Sequence, residues 1–367
     1  MKNYQFLITI FIIIISCKPR QNPDYVTIDI FTNENKTLKT SCFARSVNNI
    51  MLQDPPGSVI GDIKKIRMNS SCIIALDSKL NMLLKFDHNG KLLAISSNIG
   101  KGPLEVDNMV DFYFDTINKK IEALDIAGFK LIVYDSLLNP VKKINIRMRG
   151  ERNFFKLSGN KYLLFADNHP FIQGLNKTIY TVDTLGNIVE SYIDNSDLLY
   201  ISGAERNCIN EYLNKVVFNR GLTNNIYEFN KDSNLCRLKY IINFKNYHFP
   251  NEFLDEYKSI KDKSPVSNLY LFKYIDISNT GKYIGELRDV YENDKYLVFG
   301  YHLTSTPKWY YVFYNKATKA LHTGLPINDL SDETRFGKPV YMDGKRLYTA
   351  IFDEEADAYS IAIYELK

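Results

Sequence analysis

The chain has 367 residues but a single tryptophan, five histidines and five cysteines, and each scarcity narrows the reading. None of the cysteine spacings is that of a zinc site. There is no G-x-S-x-G nucleophile elbow and no H-E-x-x-H metal helix. Lysine and arginine (46) exceed aspartate and glutamate (42) only slightly. The basic residues do not cluster, so the footprint of a nucleic-acid binder is missing. The leading apolar run, residues 6–15, is interrupted only by Thr9. At ten residues it is too short for a membrane-spanning helix, which needs about 20.

What stands there is the core of a signal peptide, with Met1-Lys2-Asn3 before it. It ends in Ile14-Ile15-Ser16-Cys17, which resembles a bacterial lipobox and implies cleavage before Cys17 and lipidation of that residue. Several acyl chains on one residue anchor stably. Residues 1–16 are therefore expected to be removed as a signal peptide, and 17–23 to form a tether. The remaining 24–367 form the folded body. Lys18, Pro19 and Arg20 follow the cysteine without an acidic cluster, so the expected location is the periplasmic side of an outer membrane, with the cell surface as the alternative. Cys42, Cys72, Cys208 and Cys236 remain. An even number permits disulfides in an oxidising compartment, but 72 and 236 sit in strand-like runs, and free or partly paired thiols are favoured.

Tyrosine (26) and phenylalanine (22) are plentiful, and glycine and proline punctuate short runs, as in an all-β chain. One pattern recurs from Ser71, Lys120, Lys161, Lys215, Lys295 and Lys345. An apolar strand ending in a polar residue is followed by a break, a second strand, a tight turn and a third strand. Most copies begin about 40 to 55 residues apart, the period of four-stranded propeller blades. Each is preceded by one more strand-like run: 63–68, 110–115, 153–157, 205–212, 284–292 and 334–342. The expected fold is a six-bladed β-propeller with strands A to D in each blade. The last copy lacks its fourth strand, and "YVTIDIF" (25–31) is expected to supply it and close the ring, removing an exposed edge. Asp77, Asp87, Asp125, Asp135 and Asp183 read as turn formers. Residues 246–265 break the period, with Phe253, Leu254, Tyr257 and Ile260 at helical spacing between Pro250 and Pro265.

"NIGKGPLEVD" (98–107) falls between the first two units. It lacks the third glycine of a dinucleotide loop and the Ser/Thr of a P-loop, and a β-run follows it, so it reads as an inter-blade crossing. Within it, Gly100–Val106 together with Asp111-Phe112 resembles the G-R-G-P-G-E-Y crossing of the six-bladed β-propeller lipoproteins of the Bacteroidota, a TolB/NHL-like family. "VIGDIKKIRM" (59–68) and "FDHNGKLL" (86–93) share the resemblance. Leu104 stands where the family has glycine and Val106 where it has tyrosine. The resemblance implies architecture and location more than chemistry.

Function is expected at the mouth where B–C loops and D–A crossings converge, because loops on a rigid scaffold carry function and pockets form there. The residues offered are Arg220 and Trp309 first, since large aromatics and arginine dominate binding hot spots. His302, His169, Arg206 and Lys101 follow, with Phe129, Phe171, Glu105, Asp353, Glu354 and Glu355 nearby. No catalytic residue, metal ligand or cofactor is assigned. The leading expectation is a lipid-anchored, non-catalytic module that binds a sugar, a peptide or an envelope protein. A metal-dependent hydrolase or lactonase using Asp111 and Glu286 is the first alternative, and a structural subunit of an envelope complex the second.

Overall fold

In the computed structural model the described residues are 25–115, 118–146, 153–165, 177–194, 209–219, 223–245, 247, 283–304, 306–332 and 334–367. The signal peptide, the tether with Cys17 and nearly all of the 246–265 excursion lie outside them.

Three strands open the described chain: β1 (Val26–Ile30), β2 (Thr37–Lys39) and β3 (Ala44–Met51). Six sheets follow in sequence order. Blade 1 is β4 (Ile63–Met68), β5 (Ile73–Asp77), β6 (Met82–Phe86) and β7 (Leu92–Ile95). Blade 2 is β8 (Met109–Asp115), β9 (Lys120–Asp125), β10 (Lys130–Tyr134) and β11 (Pro140–Asn145). Blade 3 is β12 (Asn153–Lys156), β13 (Tyr162–Phe165), β14 (Lys177–Val182) and β15 (Ile188–Asp194). Blade 4 is β16 (Ile209–Tyr212), β17 (Lys215–Asn219), β18 (Asn225–Asn230) and β19 (Leu235–Phe244). Blade 5 is β20 (Ile284–Glu292), β21 (Tyr296–Leu303), β22 (Trp309–Asn315) and β23 (Leu321–Ile327). Blade 6 is β24 (Lys338–Met342), β25 (Arg346–Asp353) and β26 (Ala358–Leu366), completed by β3. The fold is the expected six-bladed β-propeller.

The middle strands of each blade are covered on both faces by neighbouring blades, so they read as apolar runs rather than alternating ones. β5 (IIALD) and β10 (KLIVY) are buried throughout, while outer β15 (IVESYID) is largely exposed. The apolar side chains gather into six buried clusters, one at each seam between adjacent blades. The seam between blades 6 and 1 joins Val340, Tyr348 and Ile361 to Ile63, Ile66 and Phe86. The ring is therefore closed by packing as well as by hydrogen bonds.

The closing strand is not the one expected. β3 pairs antiparallel with β26, from Ala44 opposite Leu366 to Met51 opposite Ser360. The 25–31 segment instead adds β1 as a fifth, parallel strand on blade 4, with Val26 opposite Tyr240 and Ile30 opposite Phe244. β2 does the same on blade 5, with Thr37 opposite Leu325. The physical reason is packing. Ile28 and Ile30 point into the seam between blades 4 and 5, and Leu38 and Phe43 into the next one. The N-terminal chain thus straps two blades before it closes the third.

The turn-former reading of the repeated aspartates holds at the C–D hairpins. Asp87 accepts from the backbone amides of Asn89 and Lys91, Asp135 from Leu137 and Asn139, and Asp183 from Leu185 and Asn187. Cys42, Cys72 and Cys236 are free thiols. Cys208 lies outside the described residues. Among the described residues no helix is long and apolar enough to cross a membrane.

Candidate functional site

The ends of the B strands organise one mouth of the ring. Asp77 and Asp125 are fully buried where B meets the B–C loop. Asp77 accepts from the amides of Lys79 (2.9 Å) and Leu80 (3.0 Å) in its own loop, and from Gly61 (2.7 Å) and Asp62 (3.2 Å) in the crossing from blade 6. Asp125 accepts from Ala127 (3.1 Å) in its loop and from Asp107 (3.3 Å) and Asn108 (3.0 Å) in the crossing from blade 1. Lys130 adds an ion pair at 3.6 Å. Each aspartate is a clamp that fixes a crossing against a loop. Charged acceptors on backbone amides are among the stronger hydrogen bonds, so both loops are held in place before any ligand arrives.

A pocket of about 470 Å³ lies between the clamps, where the inner strands of blades 6, 1 and 2 begin. Its walls include Asp62, Lys64, Lys79, Asn108, Lys338 and Tyr359. Asp62 is engaged by Ser78 (2.6 Å) and by Lys338 (3.8 Å). Tyr359 donates to the carbonyl of Gly61 (3.2 Å) and rests its ring 5.2 Å from that of Phe352. A Cβ on Gly61 would lie 2.6 Å from the Cβ of Lys79, so glycine is what lets this loop approach. The pocket is polar, carries lysines alongside the Asp62 carboxylate and is rimmed by an aromatic ring. It suits an anionic ligand rich in hydroxyl groups.

The sequence candidates distribute unevenly around it. His302 and Trp309 are brought together as opposite partners of β21 and β22, with ring centroids 4.7 Å apart. They sit at the equivalent end of blade 5, away from the lysine pocket. One face of Trp309 is covered by Arg288, whose Cζ lies 3.3 Å from the ring centroid. Lys101 is exposed on the crossing from blade 1 and does not line the pocket. Arg220, His169, Arg206 and Phe171 lie outside the described residues. Glu105 accepts from the amide of Gly102 (2.7 Å), and Gly100, at φ +149°, has no room for a Cβ beside that carboxylate. Leu104 is not among the residues with positive φ, and Val106 is buried where it bridges Ile99. Asp353 accepts from the amides of Glu355 and Ala356 in its own loop.

Asp111 is buried on the axis with both oxygens engaged. Oδ1 pairs with Lys65, and Oδ2 accepts from Asn153 (3.3 Å) and the amide of Phe154 (3.0 Å). Burial pulls the Lys65 amine down to about 8 against the opposing pull of Asp111. Asp111 thus links the inner strands of blades 1, 2 and 3. Glu286 lies on β20, its side chain outside the described set. Among the described residues no three His, Cys, Asp or Glu gather as a metal site would require.

The pocket lysines escaped the sequence reading. Lys79 lies in the loop between β5 and β6, where no spacing marks it, and Lys64 and Lys338 are each the first or second residue of an inner strand. Only ring closure brings 64 and 338 to one mouth.

Comparison with known proteins supports the architecture. A candidate exported protein from Bacteroides fragilis (BF0058) has a crystal structure that superposes with a TM-score of 0.73, at 16% identity, over 94% of this chain and 99% of that one. A member of the DUF4221 family from Bacteroides vulgatus superposes at 0.53, with 11% identity, over 88% and 97%. At such identities the likeness is one of fold. No curated protein matches in sequence. The profile of a domain of unknown function, DUF4934, matches residues 25–362, nearly the whole described body, and the chain belongs to that family.

Proposed function

We propose that this protein is a non-catalytic binding module of the bacterial cell envelope, anchored through Cys17, that holds an acidic, hydroxyl-rich ligand such as an acidic oligosaccharide in the mouth between blades 6, 1 and 2. The observation that carries this reading is the pair of buried clamps, Asp77 and Asp125, flanking a pocket whose walls carry Lys64, Lys79 and Lys338. A site fixed in advance loses little ordering entropy on binding. The envelope location rests on the lipobox-like 14–17 and is in keeping with the exported description of the Bacteroides fragilis protein of the same fold.

The test is calorimetric titration of residues 21–367 with a short uronate oligosaccharide and with its neutral counterpart. The acidic ligand is expected to bind and to weaken with added salt, and Lys79→Ala with Lys338→Ala to abolish binding. Equal binding of the neutral sugar would overturn the reading.

A further inference from the structure

The inner strands end, at the far side of the axis from the lysine mouth, around a separate cavity of about 290 Å³. Arg67 of β4 lines it and is only 8% exposed. Its Nη2 is buried without a hydrogen-bond partner, and Nη1 makes only a long contact, 3.4 Å, to the carbonyl of Ile66. The guanidinium carbon stands 5.4 Å from the ring centroid of Tyr341. Tyr113 and Tyr212 form further wall, with Met68, Phe114 and Met342 giving apolar surface.

The acids around this cavity are occupied elsewhere. Glu211 is paired with Lys231, whose amine lies 5.9 Å from the Tyr113 ring centroid. Asp343 accepts from Tyr348 (2.9 Å), from Arg346 Nε (3.1 Å) and from the amides of Lys345 (2.8 Å) and Arg346 (2.7 Å). The hydroxyl of Tyr212 donates to Asp294 (2.8 Å). Among the described residues no carboxylate forms an ion pair with Arg67. A buried guanidinium with unmet donors is costly to keep, and sites that retain such a cost are commonly functional. Its planar fork matches a carboxylate in two parallel hydrogen bonds, and the aromatic and thioether walls match an apolar body behind that carboxylate.

We propose that this second cavity binds a small organic carboxylate with an aromatic or apolar body, its carboxylate seated on Arg67 and its body against Tyr341 and Tyr113. The site shares no residue with the lysine mouth, so the two stand or fall separately.

The test titrates the full-length protein with benzoate, with benzamide as the uncharged isostere, and with inorganic phosphate, and follows thermal unfolding of each variant. Benzoate is expected to bind saturably, and benzamide and phosphate at least about tenfold more weakly, the scale of one charge-assisted contact. Arg67→Met is expected to lose benzoate binding by at least the same factor while melting no lower than the wild type, because it removes an uncompensated buried charge. Arg67→Lys keeps the charge, loses the fork and is expected to weaken benzoate without changing benzamide. Benzoate affinity unchanged in either variant would overturn the proposal. So would benzamide or phosphate binding as tightly as benzoate, or a lowered melting temperature of ligand-free Arg67→Met, which would show that Arg67 is already satisfied by the fold.

Discussion

Arg288 lies flat against Trp309, its guanidinium carbon 3.3 Å from the centre of the only tryptophan ring in the chain. The same guanidinium reaches Asp289 (Nε to Oδ2, 3.0 Å), and Tyr311 donates its hydroxyl to that carboxylate at 2.8 Å. Gly300 lies opposite Arg288 across the ladder, and a Cβ there would come within 3.0 Å of the Tyr311 ring. Trp309 is thus engaged by the fold of blade 5. Arg288→Met is expected to destabilise the protein by about 3 kcal/mol, because it strands a buried carboxylate and removes the ring contact. Tryptophan emission provides a direct readout: quenching by acrylamide should increase in the variant, and unchanged quenching would show that the stack does not persist in solution.

The N-terminal strap makes a second prediction. Phe43 is fully buried and stacks on Phe313, with ring centroids 3.6 Å apart and planes 8° from parallel. Phe43→Ala is expected to cost about 3–5 kcal/mol, the range for emptying an aromatic site in a core. Removing residues 1–39 leaves β3 in blade 6 and should preserve a cooperative melt at lower temperature. Removing residues 1–51 bares the edge of β26 and is expected to abolish that cooperativity and promote association. Similar melts for the two truncations would disprove closure by β3.

These two cases show what the sequence made legible. The blades were readable because their middle strands are covered on both faces and spell apolar runs such as IIALD and KLIVY. β3 (ARSVNNIM) was not, because an outermost strand needs only backbone bonding; Ala44 is its one buried residue. "VTIDI" was expected to close the ring because the last unit lacks a fourth strand, yet its Ile28 and Ile30 serve the seam between blades 4 and 5. Asp77 and Asp125 could be read as turn formers, since their loop contacts are two or three residues away. Their reach back to the preceding crossings could not be read, because nothing in local spacing encodes it. The lysine pocket depends on residues from both ends of the ring, and no short motif joins them.

The axial pair makes a third prediction. Lys65 and Asp111 are both buried and bonded to each other. Lys65→Met alone is expected to cost about 3–5 kcal/mol by leaving a buried carboxylate unpaired. Adding Asp111→Asn removes that charge while keeping an acceptor oxygen for the amide of Phe154, and should recover at least half of the loss. Urea denaturation of the two single variants and the double variant gives the coupling; additive losses would contradict a direct pair.

Glu228 makes the fourth. Burial pushes its carboxyl up, but Lys239, Arg237 and Lys215 more than offset this, and it titrates below its ordinary value. A carboxyl lowered in the folded state stabilises above its unfolded value, about 4.3, and loses that contribution as pH falls through the folded one. Between pH 6 and pH 3 the wild type should therefore lose more stability than Glu228→Gln. An equal loss in both would mean the three cations do not act on this group.

The central claim is that the mouth between Asp77 and Asp125 is where ligand sits, and hydrogen exchange tests it most directly. With a short uronate oligosaccharide present, the amides of 60–62, 78–80 and 107–110 are expected to slow, while those of 302–309 and of 67–68 stay unchanged. Protection at the blade 5 hairpin instead, or binding without any slowing at these three loops, would contradict the account.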